Sequence, residues 1–214
     1  MDAQRLLLGD WGRVIRDPLD VLRLAFLVGA VVAALAGSTE DAVRLGGTFL
    51  IVLFARWLAL PRLFDLGVIV GMALQAFGNV LGLFDSFKYY DLVVHFANPL
   101  AVAPCVYILL ARLELVPELA DTTGRHQLGV FIVTFCVGLS IGAGYEVYEW
   151  VADHWLGASL KVGYTDTIGD LTDDAVASAL GGWFLVLWAQ RGWGTTRRVP
   201  AERIPMGRRT AASS

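Results

Sequence analysis

The sequence predicts an all-α fold, a polytopic bundle of about six transmembrane helices with both termini cytoplasmic. Three observations carry that expectation. The composition is 56% hydrophobic and 17% charged, with a mean hydropathy of +0.59, whereas soluble domains are nearer one quarter charged. Six apolar stretches each approach the roughly 20 residues that cover a hydrocarbon core. The basic residues then alternate between successive connections as a six-span chain requires.

The stretches run over 21–37, 43–60, 64–84, 92–113, 127–150 and 174–190. They divide the chain into a cytoplasmic N-terminal segment (1–20), a membrane domain (21–190) and a basic tail (191–214). In the first segment Leu7, Trp11, Val14 and Ile15 alternate with Arg5, Arg13 and Arg16, the pattern of an interfacial amphipathic helix. The first span ends in small residues, Ala34 to Ser38, which resembles a cleavage site, but the long region before it argues against a signal peptide. Span three carries Gly67 and Gly71, then Gly78 and Gly82; span five carries Gly138 and Gly142. Small residues at that spacing let helices approach closely in lipid. Gln75 and Asn79 share a face of span three and are placed to hydrogen-bond across helices. Pro99 and Pro104 predict a kink in span four. Trp150, Trp155, Trp183, Trp188 and Trp193 fall near span ends, as an aromatic belt would. The tail is basic and rich in small residues, which predicts disorder. Cys105 and Cys136 both lie in apolar stretches and read as free buried thiols.

Fourteen of the 17 cationic residues fall in the N-terminal segment, the second and fourth connections and the tail. Only Arg44, Lys88 and Lys161 fall on the other side. The positive-inside rule therefore places both termini in the cytoplasm. Nine of the 20 acidic residues lie towards the opposite, outer face: Asp85, Asp91, Glu146, Glu149, Asp153, Asp166, Asp170, Asp173 and Asp174.

Three stripes stand out among these. Asp91, His95 and Asn98 sit at i, i+4 and i+7 of span four; Glu146, Glu149 and Asp153 at i, i+3 and i+7 of span five. Asp170, Asp174 and Ser178 sit at i, i+4 and i+8 of span six. Each spacing lines one helix face. If the stripes face one another they enclose a carboxylate-rich pocket with one imidazole. Such a pocket needs protons or a cation to neutralise it. Asp91, His95, Glu146, Glu149, Asp170 and Asp174 are the candidate ligands of a divalent metal, with Glu149 and Asp170 the candidate catalytic bases. The donor set suits Mg2+, Mn2+, Zn2+ or Fe2+ without choosing among them. The Glu-x-x-His pairs of bundle-type di-iron sites are absent. Ordinary roles compete at each position: Asp91 and Asp170 as helix caps, Asp173 and Asp174 as first-turn acids, His95 as a satisfied interior histidine. Asp85 and Asp166 read as loop residues, His126 as a cytoplasmic surface residue and His154 as peripheral.

The pieces Tyr-Asp-Leu-Val-Val-His-Phe (90–96), Glu-Val-Tyr-Glu-Trp (146–150) and Asp-Leu-Thr-Asp-Asp-Ala (170–175), followed by Gly181 and Gly182, carry a resemblance. The chain resembles the YjdF-type family of predicted bacterial inner-membrane proteins, a family of unknown function, and more distantly the VanZ-like membrane proteins. The likeness spans about residues 20–190. It departs from the family's Gly-Asp element before the aspartate pair, because Asp166 stands four residues ahead of Asp170 with Gly169 between. The resemblance implies a multi-pass protein of the bacterial inner membrane and brings no reaction with it.

The functional expectation is a metal-dependent enzyme at the outer membrane face, acting on a lipid or lipid-linked group. A cation or proton transporter using the same acidic pocket is the runner-up, and a non-catalytic membrane subunit or scaffold the third reading. The composition speaks against a soluble enzyme, a nucleic-acid binder or a secreted disulfide protein.

Overall fold

The computed structural model describes residues 18–119, 124–155, 157, 163–192 and 195. The expected amphipathic N-terminal helix and disordered tail lie almost wholly outside these residues. Every described element is an α-helix: α1 (Pro18–Leu35), α2 (Thr39–Trp57), α3 (Arg62–Val80), the short α4 (Leu83–Ser86), α5 (Tyr90–Arg112), α6 (Gly124–Trp155) and α7 (Tyr164–Gln190). Four of them, α1, α3, α5 and α6, are long and apolar enough to cross a membrane. The helices α2 and α7 are also long, at 19 and 27 residues. Glu40, Asp41, Arg44 and Arg56 on α2, and Asp166, Asp170, Asp173 and Asp174 on α7, lower their hydropathy.

The outside of the bundle is greasy and part of its inside is polar. Val28, Val32, Leu50, Val70 and Val176 are each about half exposed, while Asp65, His95, Asp174 and Ser178 are buried. An exterior of this kind suits lipid as solvent.

The helices form two connected groups. The first contains α1, α2 and α3; the second contains α5, α6 and α7, packed mutually; α3 against α5 joins them. Glycines set how closely these helices approach. A side chain at Gly67 or Gly71 of α3 would meet Ala101 or Asn98 of α5, and one at Gly138 or Gly142 of α6 would meet Ser178 or Asp174 of α7. Two of the three predicted small-residue pairs are therefore helix contacts. The third is split: Gly78 receives the Tyr90 ring, whereas Gly82, at φ +65°, turns the chain out of α3. That turn ends α3 at Val80, four residues before the apolar stretch itself ends.

Helix α5 continues through both prolines. Pro104 leaves the Leu100 carbonyl without its helical donor, and Gly181 of α7 packs against that carbonyl. Helix α7 begins ten residues before the predicted sixth span, because its first turns are acidic yet helical. Asp166 and Asp85 thus lie on helices, not in loops. The small residues after α1 are a turn, with Gly37 at φ +85° and the Ser38 hydroxyl capping α2 at the Asp41 amide (3.4 Å). Both cysteines are free, but only Cys105 is buried; Cys136 is on the exposed side of α6. Trp188, two residues from the end of α7, is partly buried and packs edge-on against Phe64 at 4.9 Å.

Candidate functional site

The site gathers at the N-terminal end of α5, the C-terminal part of α6 and the N-terminal half of α7. Its centre is His95, which is buried. The helical spacing of span four puts Asp91 one turn before it, and the imidazole Nε2 stands 3.8 Å from Asp91 Oδ1. From α6, Glu146 Oε1 stands 3.7 Å from the same nitrogen. The other ring nitrogen, Nδ1, lies 3.3 and 3.4 Å from the two Asp174 oxygens on α7. The three stripes therefore converge on one imidazole.

Two sets of donor atoms lie within 4.8 Å of one another: Asp91, His95 and Asp170; and His95, Glu146 and Glu149. His95 belongs to both. Asp170 and Asp174 are buried on α7, one turn apart, with Ser178 buried a turn beyond. Asp170 is six residues inside α7 and Asp91 lies after the cap residue Tyr89, so neither caps its helix. Asp153 and His154 sit further along α6; His154 stacks on Trp150 and bonds back to its carbonyl, away from the cluster.

Charge in the cluster is unbalanced. Among the described residues no lysine or arginine pairs with Asp91, Glu146, Glu149, Asp170, Asp173 or Asp174. Six buried side-chain atoms on or beside these stripes have no hydrogen-bond partner: His95 Nε2, Asn98 Oδ1, Glu146 Oε1, Asp170 Oδ2, Asp173 Oδ2 and Ser178 Oγ. Buried polar atoms are ordinarily satisfied, so orphans that crowd one point mark a place built for something further.

Sequence reasoning missed one arm of the site. Tyr145 stands edge-on to His95, with ring centres 5.5 Å apart. Its hydroxyl accepts from Gln75 Nε2 on α3 at 2.7 Å. Asn98 Nδ2 donates to Gln75 Oε1 at 3.4 Å, which closes a relay from α5 through α3 to α6. Gln75 thus makes the cross-helix bond expected of it, while Asn79 bonds back to the Gln75 carbonyl of its own helix. The spacing of Tyr145 and Glu149, i and i+4, was the available signal. Close approach at Gly142 is what admits Asp174, because a Cβ there would overlap its carboxylate.

No curated protein and no solved structure matches the chain. One family model does, that of the predicted membrane proteins designated DUF2238, over residues 19–191. That match takes in every helix of the bundle and all the residues of the cluster, and the chain belongs to this family of predicted membrane proteins.

Proposed function

We propose that the protein is a metal-dependent enzyme of the bacterial inner membrane, working at the outer face on a lipid or lipid-linked group. In this reading all six long helices span the bilayer and both termini are cytoplasmic. The YjdF-type and VanZ-like resemblance of the three motifs is part of it. The observation that carries the proposal is the orphaned, buried His95 Nε2 with carboxylate oxygens of Asp91 and Glu146 at 3.8 and 3.7 Å. Ligands that share one ion at ~2.0–2.2 Å stand roughly 3–4 Å apart. Each oxygen is too distant to bond the nitrogen and well spaced to share a cation with it.

The residues then divide by role. His95 holds the ion either with Asp91 and Asp170 or with Glu146 and Glu149, the two sets whose donor atoms lie together. Asp174 accepts the Nδ1 proton of His95, fixes the tautomer and aims Nε2 at the ion, as carboxylate–histidine pairs do in metal sites. When bound, a divalent ion supplies Lewis acidity and lowers the pKa of a bound water. Asp170, with Oδ2 free of donors, is the stronger base candidate beside Glu149.

Metal analysis of the purified protein by plasma mass spectrometry tests this. The wild type should carry a stoichiometric divalent ion, and Asp91→Ala or Glu146→Ala should lose it. Asp174→Asn should weaken binding by about 10–100-fold while leaving the ligands in place. Full metal content in Asp91→Ala and Glu146→Ala would sink the ligand roles. A metal-free wild type that moves cations or protons across sealed vesicles would replace the enzyme with a transporter.

A further inference from the structure

An apolar cavity of about 460 Å³ runs from the cluster into the bundle, within the roughly 300–1,000 Å³ of ligand pockets. His95, Asp174, Tyr145, Asn98 and Gln75 line one end of it. Beyond them the wall is Val68, Met72, Val102, Val106, Leu109 and neighbouring apolar residues. Thr48 also faces it, with its hydroxyl given to the Arg44 carbonyl at 2.8 Å. Along α5 the lining extends from Val94 to Leu109. Fifteen helical steps cover about 22 Å, some three-quarters of a hydrocarbon core of ~30 Å.

The cavity is open on one side. Among the described residues α2 packs on α1 and α3 and makes no close backbone approach to α5 or α6. Yet Ile51 and Phe54 of α2 line the same space as Ile141 of α6 and Val102 of α5. Ile51 and Phe54 are about half exposed, so the gap between α2 and the α5–α6 pair opens outwards. The far end is closed where the Arg112 guanidinium bonds the Leu58 carbonyl, drawing the α2–α3 turn onto α5.

We infer that this cavity holds the single long apolar chain of a membrane amphiphile, entering sideways between α2 and α5–α6, with its head group against His95 and Asp174. The inference rests on the enzyme reading above and names its substrate class: a one-chain lipid, acyl or isoprenoid. The apolar wall fits a hydrocarbon tail and little else. A polar head drawn into the same gap meets the orphaned His95 Nε2 and Asn98 Oδ1 at this end of the cavity. A lateral mouth at bilayer depth lets a chain enter without crossing water.

Photo-crosslinking in phosphatidylcholine vesicles tests it, using the full chain and two probes: a diazirine-bearing palmitoyl lysolipid and a diazirine-bearing isoprenyl monophosphate. Adducts are expected on the cavity faces of α2 and α5, from whichever probe has the matching tail. Val102→Trp, which fills the middle of the cavity, and Ile51→Trp, which blocks its mouth from the lipid side, should each abolish them. Adducts confined to outward residues such as Val28 and Val32, or cavity adducts undiminished in both variants, would overturn the inference. Metal analysis of the same samples separates the two ideas. Metal without cavity adducts removes the tail pocket and leaves the metal site; cavity adducts without metal keep the pocket and remove the enzyme.

Discussion

Gly142 and Gly144 lie two residues apart on α6, and the structure gives them opposite tasks. A Cβ on Gly142 would overlap the Asp174 carboxylate, whereas one on Gly144 meets nothing within 4 Å. Asp174 in turn is the partner of His95 Nδ1 at 3.3 Å. Gly142→Ala must therefore push Asp174 off the imidazole or push α7 away from α6. Forcing a methyl into packed space costs typically about 1–3 kcal/mol. The same change at Gly144 removes glycine's backbone freedom in a helix at no steric cost, and is expected to be neutral or stabilising by up to ~1 kcal/mol. Thermal unfolding of the two purified variants checks this; equal shifts for both would mean that α6 and α7 are not this close. Metal content adds a second readout, since Gly142→Ala should lower it and Gly144→Ala should not.

Between elements, the clearest clasp is one that the charge pattern concealed. Arg23 and Arg56 read in the sequence as cytoplasmic-side cations, and no spacing links them to Asp65. In the structure Arg23 is buried, bonds Asp20 at 2.8 Å and the Val52 carbonyl at 3.0 Å, and pairs with Asp65; Arg56 reaches Asp20 at 2.7 Å. These bonds tie α1, α2 and α3 at one end. Removing one member of a buried pair leaves the other uncompensated, so Asp65→Ala is expected to destabilise the protein by roughly 3–5 kcal/mol. Glu40→Ala, which breaks an exposed pair with Arg44 on α2, should cost under ~0.5 kcal/mol. Comparable losses in the two variants would mean that the Arg23 group is hydrated. The contrast also explains what the sequence makes legible. Helical spacing along one chain segment reveals the stripes of α5, α6 and α7, because a stripe is local. Pairings such as Arg23 with Asp65, or Tyr145 with Gln75, join residues on different helices, and no period encodes them. Hydropathy likewise hides the first ten residues of α7, where acidic side chains interrupt a helix that the backbone continues.

Across the whole molecule, polarity runs along the bundle axis. The carboxylate cluster sits where α5 and α7 begin and α6 ends, while Arg112, Arg56 and Arg23 gather at the other end. The helices α2 and α7 each carry several charged residues, which is why length and composition admit only four spans. Treating them as membrane-crossing is nonetheless the economical reading, for α7 packs along both α5 and α6 and supplies Asp174 to the centre of the site. If α7 lay outside the bilayer its partners would need to be outside too. The orientation is testable from positions at opposite ends: Lys88, between α4 and α5, and Glu118, after α5, are both exposed. With Cys105 and Cys136 replaced by serine, Lys88→Cys should react with a membrane-impermeant maleimide on intact bacterial cells, and Glu118→Cys only after the membrane is opened. The reverse pattern would put the cluster on the cytoplasmic side and move the search for a substrate to the inner leaflet. Labelling of both residues from outside would mean that α5 does not cross the membrane, and the six-span topology would fall with it.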